Sequence, residues 1–88
     1  MDIAKAKLFI CHDAFLDKIY MSKDIQTLFD NVDVARKYIG LFCVVDTEGG
    51  ETVFEVDQSY DYEPVIMYRH MHFDTFLKFN NDCEIIKL

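Results

Sequence analysis

Eighty-eight residues are enough for one small domain, which on folding buries roughly 60–65% of the surface its unfolded chain exposes, and an apolar content of 51% with eight Phe and five Tyr excludes a disordered acidic tail. The formal net charge of −7 argues against direct nucleic-acid binding and against attachment to anionic lipid, because both need clustered Lys and Arg. Three scattered cysteines, Cys11, Cys43 and Cys83, have no CxxC spacing and read as buried thiols in a reducing compartment.

The apolar run near the start, in MDIAKAKLFICHD, is broken by His12 and Asp13, so neither a signal peptide nor a membrane span is expected and the protein is placed in the cytoplasm. Lys7–His12 (KLFICH) reads as a strand. In AFLDKIYMS, Phe15, Leu16, Ile19 and Tyr20 recur at helical spacing behind a possible Asp13 N-cap, which predicts a short helix. From Ile25 the apolar positions Leu28, Phe29, Val32, Ala35 and Ile39 again fit a period of 3.6. Two arrangements satisfy them: one helix over Lys23–Ile39, or a strand at IQTLF followed by a helix VDVARKYI. Both keep a helix over Val32–Ile39, with Asp33 in its first turn, Arg36 and Lys37 toward its last and Gly40 as terminator.

LFCVVD and ETVFEVD then flank TEGG, the pattern of a β-hairpin. On the second strand Thr52, Phe54 and Val56 should face the core, and Glu51, Val53, Glu55 and Asp57 water. QSYDYEP reads as an exposed loop and VIMYRHMH as a strand. FLKF and CEIIKL around NND suggest a closing hairpin, with one helical turn at DTFLKF as the alternative. The whole reads as a single α+β domain over residues 1–88, an antiparallel sheet of four or five strands with one to three helices.

Chemistry-bearing patterns are few. His70-x-His72 would place two imidazoles on one strand face, yet no HExxH, CxxC or calcium-type loop supports a metal centre, so no metal or cofactor is expected. Cys11 and His12, adjacent on a strand, point to opposite faces and cannot form a nucleophile pair. Exposed hairpin carboxylates lack the cleft that would split their pKa values. No catalytic residue is assigned, and the chain reads as a non-enzyme.

The acids are distributed unevenly. Tyr38 through Tyr68 contains no Lys or Arg but holds Asp46, Glu48, Glu51, Glu55, Asp57, Asp61 and Glu63, while acids and bases balance elsewhere. Carboxylates at alternate strand positions lie about 6.6 Å apart, giving a row of negative points like that of a nucleic-acid backbone. Tyr60 and Tyr62 add contact area at low entropic cost. These nine residues form the candidate partner-binding surface, facing a basic protein surface.

The small size, the segment FDNVDVARKYIG leading into a hairpin and the acidic run TEGGETVFEVDQSYDYE together resemble the small acidic proteins that bacteriophages make to disable host machinery. Among these the chain is most similar in type to the DNA-mimic anti-restriction proteins, such as the Arn proteins of T-even phages. The resemblance implies an inhibitor in the host cytoplasm that occupies the nucleic-acid site of a host protein. The alternative is a structural or adaptor subunit acting through an apolar interface, and in either case the aromatic content predicts a symmetric homodimer.

Overall fold

The computed structural model describes residues 2–57 and 63–88. After a 3₁₀ turn at Ile3–Lys5, the chain runs through β1 (Ala6–Asp13), β2 (Lys18–Ser22), α1 (Ile25–Asn31), β3 (Ile39–Thr47), β4 (Gly50–Asp57), β5 (Val65–His72), α2 (Phe73–Phe79) and β6 (Glu84–Lys87). The six strands form one sheet in the order β5-β4-β3-β1-β2-β6. All neighbours are antiparallel except β2 and β6, which pair in parallel. This is the expected α+β class with one strand more than expected.

Both faces of the sheet are covered. On one, Leu28 of α1 and Val32 pack with Phe9, Cys11, Cys43, Phe54 and Val56; on the other, Phe76 of α2 packs with Ile10, Ile19, Val44 and Val53. Consecutive residues of β1 and β3 are therefore buried on opposite sides, Phe9-Ile10-Cys11 and Cys43-Val44-Val45. These uninterrupted apolar runs are what a strand covered on both faces requires.

Three expectations are corrected. AFLDKIYMS is a turn and a strand instead of a helix: Ile19 and Met21 are buried at a spacing of two, while Phe15 and Leu16 are exposed. Asp13 does cap, but it caps a turn. Its Oδ1 accepts from Phe15 N–H and Leu16 N–H at 3.0 Å each, and Asp17 then adopts φ 53°, so the chain reverses before a second helical turn can form.

The helix over Val32–Ile39 is also absent. Helix α1 occupies Ile25–Asn31, the N-terminal half of the expected long helix and the place where the alternative put a strand, and Val32 leaves it with extended φ −132° and ψ 130°. Two four-residue turns follow, Arg36 N–H donating to Asp33 O and Ile39 N–H to Arg36 O. The left-handed residue is Tyr38, φ 73°, and Gly40 lies in β3 for another reason: a Cβ there would meet the Phe42 ring at 2.7 Å.

At the other end, the helical alternative for DTFLKF holds, as α2, and CEIIKL supplies β6 without a hairpin. The preference for a hairpin failed because β6 joins β2, far away in sequence, instead of its neighbour.

Candidate functional site

The β3–β4 hairpin turns through Glu48 and Gly49, with Thr47 paired to Gly50. Gly50 takes φ 103°, which suits glycine at the end of a tight loop. Thr47 Oγ1 accepts from Gly49 N–H at 3.2 Å and lies 3.0 Å from Thr52 Oγ1. The fully buried Thr52 hydroxyl is thereby satisfied, and the acidic turn is held on a rigid base.

Asp46 and Glu51 are direct cross-strand partners, an arrangement that like charges disfavour. Lys7 relieves it. At the irregularity of β1 between Ala6 and Leu8, its Nζ contacts Asp46 Oδ1 at 3.1 Å and also Glu51 Oε2. Hydrogen bonding to Glu51, then to Asp46, raises the Lys7 pKa above its ordinary value. The acidic segment therefore has a counter-charge, contributed by a strand remote in sequence. A second cation is close by, for an Arg69 guanidinium nitrogen lies 3.5 Å from where a Cβ on Gly49 would sit.

The row of carboxylates is interrupted as well. Val53, expected to face water, is fully buried against Phe76 and its neighbours, so α2 covers β4 between Glu51 and Glu55. The acids fall into two groups: Asp46, Glu48 and Glu51 at the turn, and Glu55 and Asp57 toward the far end of β4. Glu48, Glu55, Asp57 and Glu63 are exposed, and among the described residues none of these four makes an ion pair. Tyr60, Asp61 and Tyr62 lie outside the described residues.

His70 and His72 do not share a setting. Irregularities between Val53 and Phe54 and between Phe54 and Val56 break the alternation of β5. His70 packs on Phe42, centroids 5.2 Å apart, and edge-on to Phe76, whereas His72 precedes α2 and lies beside Gly49. Among the described residues no three His, Cys, Asp or Glu side chains gather as metal ligands.

One pair that the sequence conceals is Cys83 and His12, whose Sγ and Nε2 lie 3.9 Å apart. Burial first, then the Asp82 and Asp17 carboxylates, raise the Cys83 pKa. A thiol held protonated is the opposite of an activated nucleophile. Cys11 and Cys43 are buried, with pKa values pushed up to about 12 and about 11 by desolvation. Cys83 is only partly buried, a departure from the expectation of three core thiols.

Sequence reasoning also missed an exposed apolar cluster at the opposite end of β3 from the acidic turn, where Phe15 stacks on Tyr38 at 6.4 Å. Its base is the buried Asp13, whose Oδ2 receives Arg36 Nη2 at 2.6 Å. The accepted Leu16 and Phe15 N–H groups and the Arg36 charge hold the Asp13 carboxyl below its ordinary range, against the opposing effect of burial. No helix among the described residues is long and apolar enough to cross a membrane. No family model matches this chain, and neither a curated protein nor a solved structure is significantly similar to it.

Proposed function

We propose that this protein is a non-enzymatic binding protein whose acidic hairpin occupies a basic surface, that of a nucleic-acid-binding protein, and blocks it as a DNA mimic of the phage anti-restriction type. The observation that supports the reading is the set of exposed carboxylates Glu48, Glu55 and Asp57 on a hairpin held by the Thr47 and Thr52 hydroxyls, with Glu63 just before β5, none of them ion-paired among the described residues. Rigid placement lowers the ordering cost of association. Asp46 and Glu51, tied to Lys7, contribute less than the sequence pattern implied.

The test is capture of nucleic-acid-binding proteins from a host lysate by wild type and by a variant carrying Glu48→Lys, Glu55→Lys and Asp57→Lys. Exposed charge contacts are each worth only about 0.2–1 kcal/mol, but three reversals convert attraction into repulsion and should lower affinity roughly a hundredfold. Asp30→Lys with Asp82→Lys, on exposed positions away from the hairpin, should change it little. Displacement of the captured protein by duplex DNA is expected; equal capture by both variants would sink the proposal.

A second reading, an adaptor dimer, draws support from β5. This edge strand exposes Val65, Met67 and Tyr68, although its two register irregularities are of the kind that discourage edge-to-edge pairing. Sedimentation that yields one chain mass at every concentration would remove it.

A further inference from the structure

Between α2 and the β2–β6 edge of the sheet lies a groove of about 660 Å³ that is independent of the acidic hairpin. Its walls are Leu8, Met21, Phe73, Leu77, Ile85 and Leu88, and Ile85 and Leu88 remain 46% and 43% exposed. A mainly apolar concavity of this size, with a few polar groups at its margin, has the form of a small-molecule site.

The polar groups at the margin indicate which molecule. Ser22, Lys23, Asp24 and Lys87 complete the lining. Ser22 Oγ accepts from Asp24 N–H, and the Asp24 carboxylate is engaged as the cap of α1, accepting from Thr27 N–H and Thr27 Oγ1. Lys23 and Lys87 remain, and among the described residues neither forms an ion pair. The parallel ladder brings their segments side by side: Met21, two residues before Lys23, is the register partner of Lys87, and Leu88 N–H donates to Met21 O at 2.8 Å. Two unengaged ammonium groups beside apolar walls, in a chain of net charge −7, favour a ligand with one anionic end and a long apolar body.

We propose that this groove binds a long-chain carboxylate, with the alkyl chain along Met21, Phe73, Leu77 and Ile85 and the head group at Lys23 and Lys87. A fully buried methylene strengthens binding about fourfold. In a groove open on one side, half that burial gives roughly fourfold for every two carbons.

The experiment is calorimetric titration of the full chain with octanoate, decanoate and dodecanoate below their micellar concentrations, beside uncharged decanol. Expected are one site per chain, affinity rising about fourfold per two carbons, and a loss of tenfold or more for dodecanoate, not for decanol, in the variant Lys23→Ser with Lys87→Ser. Both lysines are exposed, and circular dichroism of the variant checks its fold. In wild type, amide shifts on titration should centre on Met21, Leu77 and Leu88. The proposal is overturned by absence of saturable dodecanoate binding, by equal dodecanoate affinity in the double variant, or by a concentration-dependent dimer that Leu77→Glu abolishes, since a second copy would then fill the groove.

Discussion

Phe76 is the only buried residue of α2, and its ring sits among Phe42 at 5.5 Å, His12 at 6.4 Å and His70 at 6.4 Å. Phe76→Ala should therefore detach the helix as well as empty a site. Truncating a buried Phe costs about 3–5 kcal/mol, and the value here belongs near the middle of that range, about 4, because Val44 and Val53 beneath are fixed in central strands and cannot collapse into the void. An 88-residue domain has a total stability of roughly 4–13 kcal/mol, so the variant should be marginal. In urea, with a slope of about 1–3 kcal/mol per molar, the unfolding midpoint followed by circular dichroism should fall by roughly 2 M. Phe79→Ala, at a position 75% exposed, should stay within about 0.5 kcal/mol of wild type. A loss below about 1.5 kcal/mol for Phe76→Ala, or one equal to that for Phe79→Ala, would show that α2 is not held by this ring.

Gly40→Ala should destabilise by about 1–3 kcal/mol, since the Phe42 ring that the new methyl meets is itself backed by His70 and Phe76; chemical denaturation checks it. Alkaline stability should fall as pH rises from about 9: Cys11 and Cys43 hold their protons more tightly folded than unfolded, so their contribution is complete below the unfolded pKa and disappears toward about 12 and about 11. A pH series on Cys11→Ser with Cys43→Ser, losing this slope, would attribute it to these thiols. Asp13→Asn should lower the thermal midpoint at neutral pH, and the gap from wild type should close as pH falls below about 4, because a carboxyl with a depressed folded pKa stabilises above its unfolded value and ceases to when protonated. A gap independent of pH would mean that the Asp13 charge is not what holds the turn.

The parts of this fold legible in the sequence are those decided locally. The β3–β4 hairpin is announced by TEGG between β-branched runs, and β1 by a compact apolar run ending at Asp13. What misled was period. Phe15, Leu16, Ile19 and Tyr20 satisfy a helical spacing only by joining two exposed turn residues to two strand residues, and the Gly40 signal belongs to the Phe42 ring. On the candidate site, the exposure of Asp46, Glu48, Glu51, Glu55, Asp57 and Glu63 was readable, whereas Val53 was misplaced because its cover is a helix twenty residues further on. Lys7 was not readable as their partner, because only the β1–β3 ladder carries it there. The groove at Lys23 and Lys87 had no sequence signal, since its two sides meet only through the β2–β6 pairing.

That pairing also governs the order in which the molecule can be completed during synthesis. Tyr20 finds its neighbour in Ile86, so until the chain from α1 to α2 has been added the outer edge of β2 has no strand to pair with. Long-range pairings of this kind slow folding, and an uncovered strand edge is where unfinished chains adhere to one another. Lys18 and Lys23 lie at the two ends of β2, charges of the kind that discourage edge-to-edge pairing until residues 84–87 cover the strand.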